Sequence, residues 1–393
     1  MTSKAWAAAA AASALALAAG GALAQGEEPL KIGIVTTLSG APAALGEQLV
    51  DGFQLAVEEM GGEMGGRPVE VVIRDDELQP EVAQLAAREL VEREGVDFVV
   101  GTTFSNMLQA IFKPVTDTEV FLLSPNAGPS TFAGRNCHPF FFATSYQNDQ
   151  NHEVMGRVAT EAGYGRVVLL APNYQAGRDS FAGFKKSYEG EVVEEIFVPL
   201  EAQDFSAELA RIAEARPDAL FAFMPGGLGV RLVGQFRQAG LADQMAFLSA
   251  FTTDETTLPA QGEAALGFLT GSSWAPDLDN EANRAFVEAY IKAHDAVPGS
   301  YAAHAYDTAR LIDSAVRAVE GDLSDKEAVR EALRAAEFES VRGDFAFGAN
   351  QFPVQDFHLL EVVEREDGRI ATAFVRTVFE DYADAYAAEC EME

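Results

Sequence analysis

Three short stretches hold the residue types that could grip a small anion. Thr37–Gly46, Thr102–Asn106 and Ser124–Ser130 are each rich in Gly, Ser, Thr or Asn. Hydroxyls beside the free amides of a helix N-terminus make a cradle for a carboxylate. The same spacing also describes N-caps and turn residues at Ser105 and Ser124, the commoner use of such serines. Other chemistries find less support. His138, His152, His294, His304 and His358 form no i, i+4 pair and have no cysteine nearby, which argues against zinc or a two-metal centre. Asp75-Asp76 at a strand end could hold a cation, although such pairs more often cap loops. Gly226-Gly227-Leu228-Gly229 follows an apolar run but lacks the last glycine of a dinucleotide loop. No G-x-S-x-G elbow offers a hydrolase nucleophile. Neither a catalytic residue, a cofactor nor a metal is expected.

The elements that must position those stretches alternate between strand and helix. Leu30–Val35 reads as a buried strand, followed by a helix on which Leu49, Phe53, Ala56, Val57 and Met60 share a face. Strands at Val69–Ile73, 98–101 and Val120–Leu123 alternate with helices near Glu81–Arg93 and Ser105–Thr116. Phe140–Phe142 reads as a further buried strand. The alternation restarts with strands at Val167–Ala171, Val192–Val198, Ala219–Phe223 and Met245–Leu248, separated by helices near 177–188, 206–215 and 229–239. Such alternation marks doubly wound parallel sheets. The last third differs: helices near 280–294, 300–319 and 325–335 precede two strands, His358–Glu364 and Arg369–Phe379, joined at Asp367-Gly368. It has too few strands to form a lobe of its own and must complete the two already begun. In open α/β sheets, ligands sit beyond the C-terminal ends of strands, where all three anion-gripping stretches fall.

Residues 1–24 carry Lys4, an Ala/Leu-rich run and Ala22-Leu23-Ala24, the layout of a cleaved export signal. Nothing after residue 24 is long and apolar enough to span a bilayer. The remaining chain, about 370 residues, exceeds a usual single core, so two domains are expected. With 28 Lys+Arg against 61 Asp+Glu, the net charge of −33 makes nucleic acid a poor partner. Export permits a disulfide between the two cysteines, Cys137 and Cys390, with two unpaired thiols as the alternative.

Ile32-Gly33-Ile34, Leu38-Ser39-Gly40, Gly46 and Gly52 resemble the opening of the Leu/Ile/Val-type (type I) periplasmic solute-binding proteins of ABC transporters. The likeness continues through Gly61-Gly62, Asp75-Asp76, Val99-Val100-Gly101, Ser124-Pro125, Asp204-Phe205-Ser206, Pro217-Asp218-Ala219, Gly240-Leu241 and Ala305-Tyr306-Asp307. It implies two doubly wound α/β lobes joined by three crossovers. The crossings would lie near Ala143–Tyr146, Gly271–Trp274 and Asn350–Gln355. Lobe 1 would then comprise 25–144 plus 273–352, and lobe 2 would comprise 145–272 plus 353–393. It further implies a periplasmic protein that traps a small carboxylate by hinge closure and delivers it to an ABC permease; a monomer is the default expectation, and no constellation of residues supports an enzyme.

By the same resemblance, Ser105, Asn126 and Gly128 hold the ligand carboxylate, with Ser130 near a position where the family carries a threonine. Tyr174 closes over the ligand, and Pro225 with Gly226 and Gly227 forms a lining turn. Ser39, Leu45 and Phe104 fall on further lining loops. Phe251 stands where amino-acid binders place a glutamate for the ligand ammonium, although Asp254 or Glu255 could supply that acid. An ammonium without a partner is costly to bury, so the pattern is similar to the branch that imports hydroxybenzoates and cinnamates. A branched-chain or other amino-acid binder and a ligand-sensing receptor module are the alternatives.

Overall fold

The computed structural model describes residues 28–392; the export signal expected at 1–24 lies outside them. Its first sheet runs in the order Glu63–Met64, Arg67–Asp75, Leu30–Thr36, Phe98–Val100, Phe121–Ser124, Phe141–Ala143. The four strand pairs beyond the Glu63–Met64 hairpin are parallel. Helices cover both faces, so the strands from Leu30–Thr36 to Phe141–Ala143 in that order are buried almost throughout and do not alternate. The two-residue period still sorts their side chains. Ile32, Ile34, Phe98, Val100, Phe121 and Leu123 join the cluster under helices Ala43–Glu59 and Ser300–Ala318. Val35, Val99 and Leu122 face helices Pro80–Glu89 and Ser105–Thr116 instead.

The second sheet runs Ala346–Phe347, Pro353–Glu364, Leu269–Ser272, Ala246–Ser249, Ala219–Ala222, Arg166–Pro172, Glu191–Val198, with Ile370–Tyr382 paired antiparallel to Pro353–Glu364. The last third does divide between the lobes. Helices Glu281–His294, Ser300–Ala318 and Lys326–Ala335 pack into the first lobe, while the closing hairpin extends the second sheet.

Three stretches of chain pass between the sheets. One leads from Phe141–Ala143 to helix Asn148–Glu161, one from Leu269–Ser272 to helix Glu281–His294, and one returns to Pro353–Glu364. Side chains knit them together. Arg342 Nη1 and Gln355 Nε2 both donate to the Ser145 carbonyl, at 3.1 and 2.6 Å. Arg342 is also paired with Asp307 at 2.9 Å, both side chains almost wholly buried. Ser273 Oγ and His304 Nε2 bond at 3.1 Å. Cys137 and Cys390 form a disulfide that closes a separation of 253 residues.

Helix Asn148–Glu161 has no counterpart in the sequence reading. Asn148 to Glu153 are six consecutive polar residues, all buried, so no apolar face marks its first turns. Its start is encoded locally, by a reciprocal capping box between Gln147 and Gln150. The strand Leu269–Ser272, Leu-Thr-Gly-Ser, likewise lacks the apolar run that marked the other short strands.

Candidate ligand-binding site

The C-terminal ends of the parallel strands converge on a chamber between the lobes. From the first lobe, the loop after Phe98–Val100 brings Thr103, Phe104 and Ser105, and the loop after Phe121–Ser124 brings Asn126 and Ala127. From the second, the loops after Arg166–Pro172, Ala219–Ala222 and Ala246–Ser249 bring Tyr174, Phe223 with Pro225, and Phe251. Tyr146, Asn148, His152, Ala176 and Tyr301 complete the wall. None of these residues is Asp, Glu, Lys or Arg. The lobes are closed on one another: one apolar cluster runs from Val99 through Phe104, Tyr146 and Phe251 to Phe221 without a break. The chamber is correspondingly narrow, open to the centre of a water molecule over only about 20 Å3, so a ligand must enter with the lobes apart.

One end is polar. Helix Ser105–Thr116 begins here without a side-chain cap, and its first intrahelical bond is from Leu108 N–H to the Phe104 carbonyl. The amides of Ser105, Asn106 and Met107 precede that bond, in the part of a helix that favours an anion. Asn148 reaches across from the second lobe, donating to Ser105 Oγ at 3.1 Å and accepting from Gly128 N–H at 2.9 Å. Asn126 is engaged at both amide atoms, donating to the Thr103 carbonyl and accepting from the Tyr146 hydroxyl. Behind it, Asp179 of the second lobe accepts from Ser130 N–H and Oγ of the first, and from Asn148 Nδ2.

The rest is aromatic. Phe104 lies 6.2 Å from Tyr174, which stacks 6.2 Å from Phe223. Phe251 sits edge-on to Phe223 and Tyr301 and 5.3 Å from Tyr146. Burial pushes the hydroxyls of Tyr146, Tyr174 and Tyr301 above the usual phenol range, with neighbouring acids acting in the same direction. Burial pushes His152 down to about 3. At neutral pH the lining therefore carries no charge. Phe251 also walls a second, smaller cavity that holds Asp254 and Glu255.

Residues 29–369 match the family described as periplasmic binding protein. The chain belongs to that family. Leu/Ile/Val-binding protein homolog 6 of Brucella melitensis is 31% identical over 365 residues, covering 90% of this chain and 93% of its own. A solute-binding protein of an ABC transporter from R. palustris, solved in complex with benzoate, superposes with a TM-score of 0.88 at 32% identity, covering 93% of this chain and 100% of that one. A solute-binding protein from Rhodopseudomonas palustris in complex with 3,4-dihydroxybenzoic acid gives 0.84 at 28% identity, covering 91% and 99%.

In this binding protein Phe104, Ser105, Asn126, Tyr174 and Phe251 line the chamber, and Ser39, Leu45, Gly128, Gly226 and Gly227 do not. Ser39 is exposed on its loop. Leu45 is buried in the core and abuts Gly226 at the rim: a Cβ on Gly226 would stand 3.4 Å from Leu45 Cδ1. A Cβ on Gly227 would likewise stand 3.3 Å from that of Ala41, so this turn is where the closed lobes touch. At Gly128 a Cβ would fall 1.9 Å from the Tyr146 carbonyl oxygen, and the amide is already taken by Asn148. Asp254 and Glu255 are screened from the chamber by Phe251. Ser124 ends its strand, and its hydroxyl donates to the Ala127 carbonyl. Asp75 and Asp76 brace the loop after the first strand, accepting from Leu38 N–H and Thr37 Oγ. Sequence reasoning missed Tyr146, Asn148, His152, Phe223 and Tyr301. Phe223 was within reach of the strand-end rule, and the Gln147 capping box could have exposed Asn148 and His152. Among the described residues, no His, Cys, Asp or Glu cluster is arranged for a metal, and no helix is long and apolar enough to cross a membrane.

Proposed function

We propose that this protein is the periplasmic solute-binding component of an ABC importer and that its ligand is a small aromatic carboxylate of the hydroxybenzoate or cinnamate type. The observation that carries the reading is the uncharged, ring-built lining around one polar end. An ammonium placed there would lose its hydration and find no carboxylate, at a cost of several kcal/mol. A ligand ring would instead meet the Phe104, Tyr174, Phe223 and Phe251 rings at ordinary stacking and edge distances. Its carboxylate fits the helix start at Ser105, where the serine Oγ accepts from Asn148 and still has its own proton to give. The benzoate and 3,4-dihydroxybenzoic acid complexes of similar proteins support the same ligand class. Because both lobes contribute to the wall, the ligand makes its full contacts only when the lobes are shut. Binding therefore shifts the population toward the closed form that a permease would recognise.

The test is a thermal-shift screen of the exported chain, followed by calorimetry, against benzoate, 4-hydroxybenzoate, 4-hydroxycinnamate, leucine, valine and glutamate. A ligand at 100 times its Kd stabilises by about 2.7 kcal/mol, and the aromatic acids are expected to do so. Stabilisation by leucine or valine alone would overturn the reading and bring Asp254 and Glu255 forward as ammonium partners.

A further inference from the structure

We infer that His152 is the residue by which this site selects aromatic acids that carry a hydroxyl group on the ring edge opposite the carboxylate. The inference rests on the aromatic-carboxylate reading above. His152 lies on helix Asn148–Glu161, is 1% exposed, and lines the chamber. Phe221, Phe223 and Phe251 surround it edge-on, with centroids at 5.7, 5.0 and 6.1 Å. No side chain or carbonyl among the described residues bonds its ring, and Nδ1 is buried without a partner. A polar group in such a position is costly unless something satisfies it. In a wall otherwise built from rings, the chamber is where that partner can come from.

The chemistry of the partner follows from the state of the ring. Burial keeps His152 neutral at physiological pH, so it offers one N–H donor and one bare nitrogen. That suits a neutral hydroxyl, which can both give and accept a hydrogen bond. It does not suit a second carboxylate, which would want a cation. Position follows from the helix. His152 stands four residues beyond Asn148, about 6 Å along the axis and on the same face. Asn148 is tied to Ser105 and Gly128 at the polar end. A single ring anchored by its carboxylate at Ser105 thus reaches toward His152 with its far edge.

Calorimetry with 4-hydroxybenzoate, 4-methylbenzoate and benzoate tests this, because the methyl compound matches the hydroxyl compound in shape but cannot hydrogen-bond. The exported wild-type chain should bind 4-hydroxybenzoate about tenfold or more tightly than 4-methylbenzoate. His152→Phe should bring the two within about twofold of each other, whatever its effect on their absolute affinities. The Tyr174 and Tyr301 hydroxyls remain in every variant, so the contrast isolates the imidazole. Equal wild-type affinities for the two compounds, or an undiminished preference in a folded His152→Phe chain, would overturn the assignment. Should His152→Phe fail to fold, His152→Leu and the wild-type comparison decide. Failure of every aromatic acid to bind would overturn the aromatic reading itself, and the assignment with it.

Discussion

Phe251 holds φ at 60°, a conformation a bulky side chain adopts only where its surroundings leave no other. Those surroundings are Tyr146, His152, Phe223 and Tyr301, and the result is a ring that divides the chamber from two buried acids. Burial, the largest influence, raises Asp254 to about 6 and Glu255 to about 7. Glu255 accepts from Thr372 N–H and Oγ through one oxygen, and the Asp254 charge beside it works with burial. The folded chain thus holds the Glu255 proton more tightly than the unfolded chain, whose carboxyl titrates near 4.5. Its contribution to stability is complete below that value and is lost as pH rises through about 7. Glu255→Gln can still accept from Thr372 and has no proton to lose. Urea unfolding between about pH 5 and pH 8 should show a shallower decline in the variant than in the wild type. Parallel slopes in the two proteins would assign the decline to another group.

Helix Asn148–Glu161 and the neighbouring helix Gln175–Ser187 carry the contacts that hold the lobes together beside the ligand. Asp179, on the second of these, takes bonds from Ser130 N–H at 3.2 Å and Ser130 Oγ at 2.7 Å, both from the opposite lobe. It does not line the chamber, so its effect on binding should pass through closure and through Asn148, whose Nδ2 also donates to it at the polar end common to every ligand. Asp179→Asn retains the volume but can accept at only one atom. Shutting the lobes then costs more, and affinity should fall by about fivefold for every ligand in the panel, with the order of preference unchanged. A change in that order would mean that Asp179 acts on the ligand directly. Most elements of this kind were legible because their buried faces are apolar. Helices Ser105–Thr116 and Ser206–Ala215 match the spacing of their apolar residues to the residue. Asn148–Glu161 was not, because its first turns bury amides, two carboxylates and an imidazole where an apolar face would otherwise show.

For the whole molecule, the Cys137–Cys390 bond ties the acidic C-terminal tail to the stretch just before the first crossing. In a chain-entropy account a loop of this size contributes about 5 kcal/mol by restricting the unfolded chain. The double variant Cys137→Ser/Cys390→Ser should therefore unfold at lower urea concentration by a comparable free energy, with ligand affinity nearly unchanged because neither residue lines the chamber. An undiminished midpoint would show that the unfolded chain is already restrained there by other means. The amino-acid sequence by itself determined most of the strand–helix order, the two-lobe plan and the loops that face the cleft, since apolar period, turn residues and strand ends are local properties. The family resemblance carried by its motifs also singled out Phe104, Ser105, Asn126, Tyr174 and Phe251, which the structure places on one chamber. Only the tertiary structure decided that Leu45, Gly226 and Gly227 meet at the rim, that Gly128 is spent on backbone packing, and that Tyr146, Asn148, His152 and Tyr301 complete the wall. Those outcomes depend on how two lobes close across crossovers far apart in the chain, and no local pattern of residues encodes which surfaces then touch.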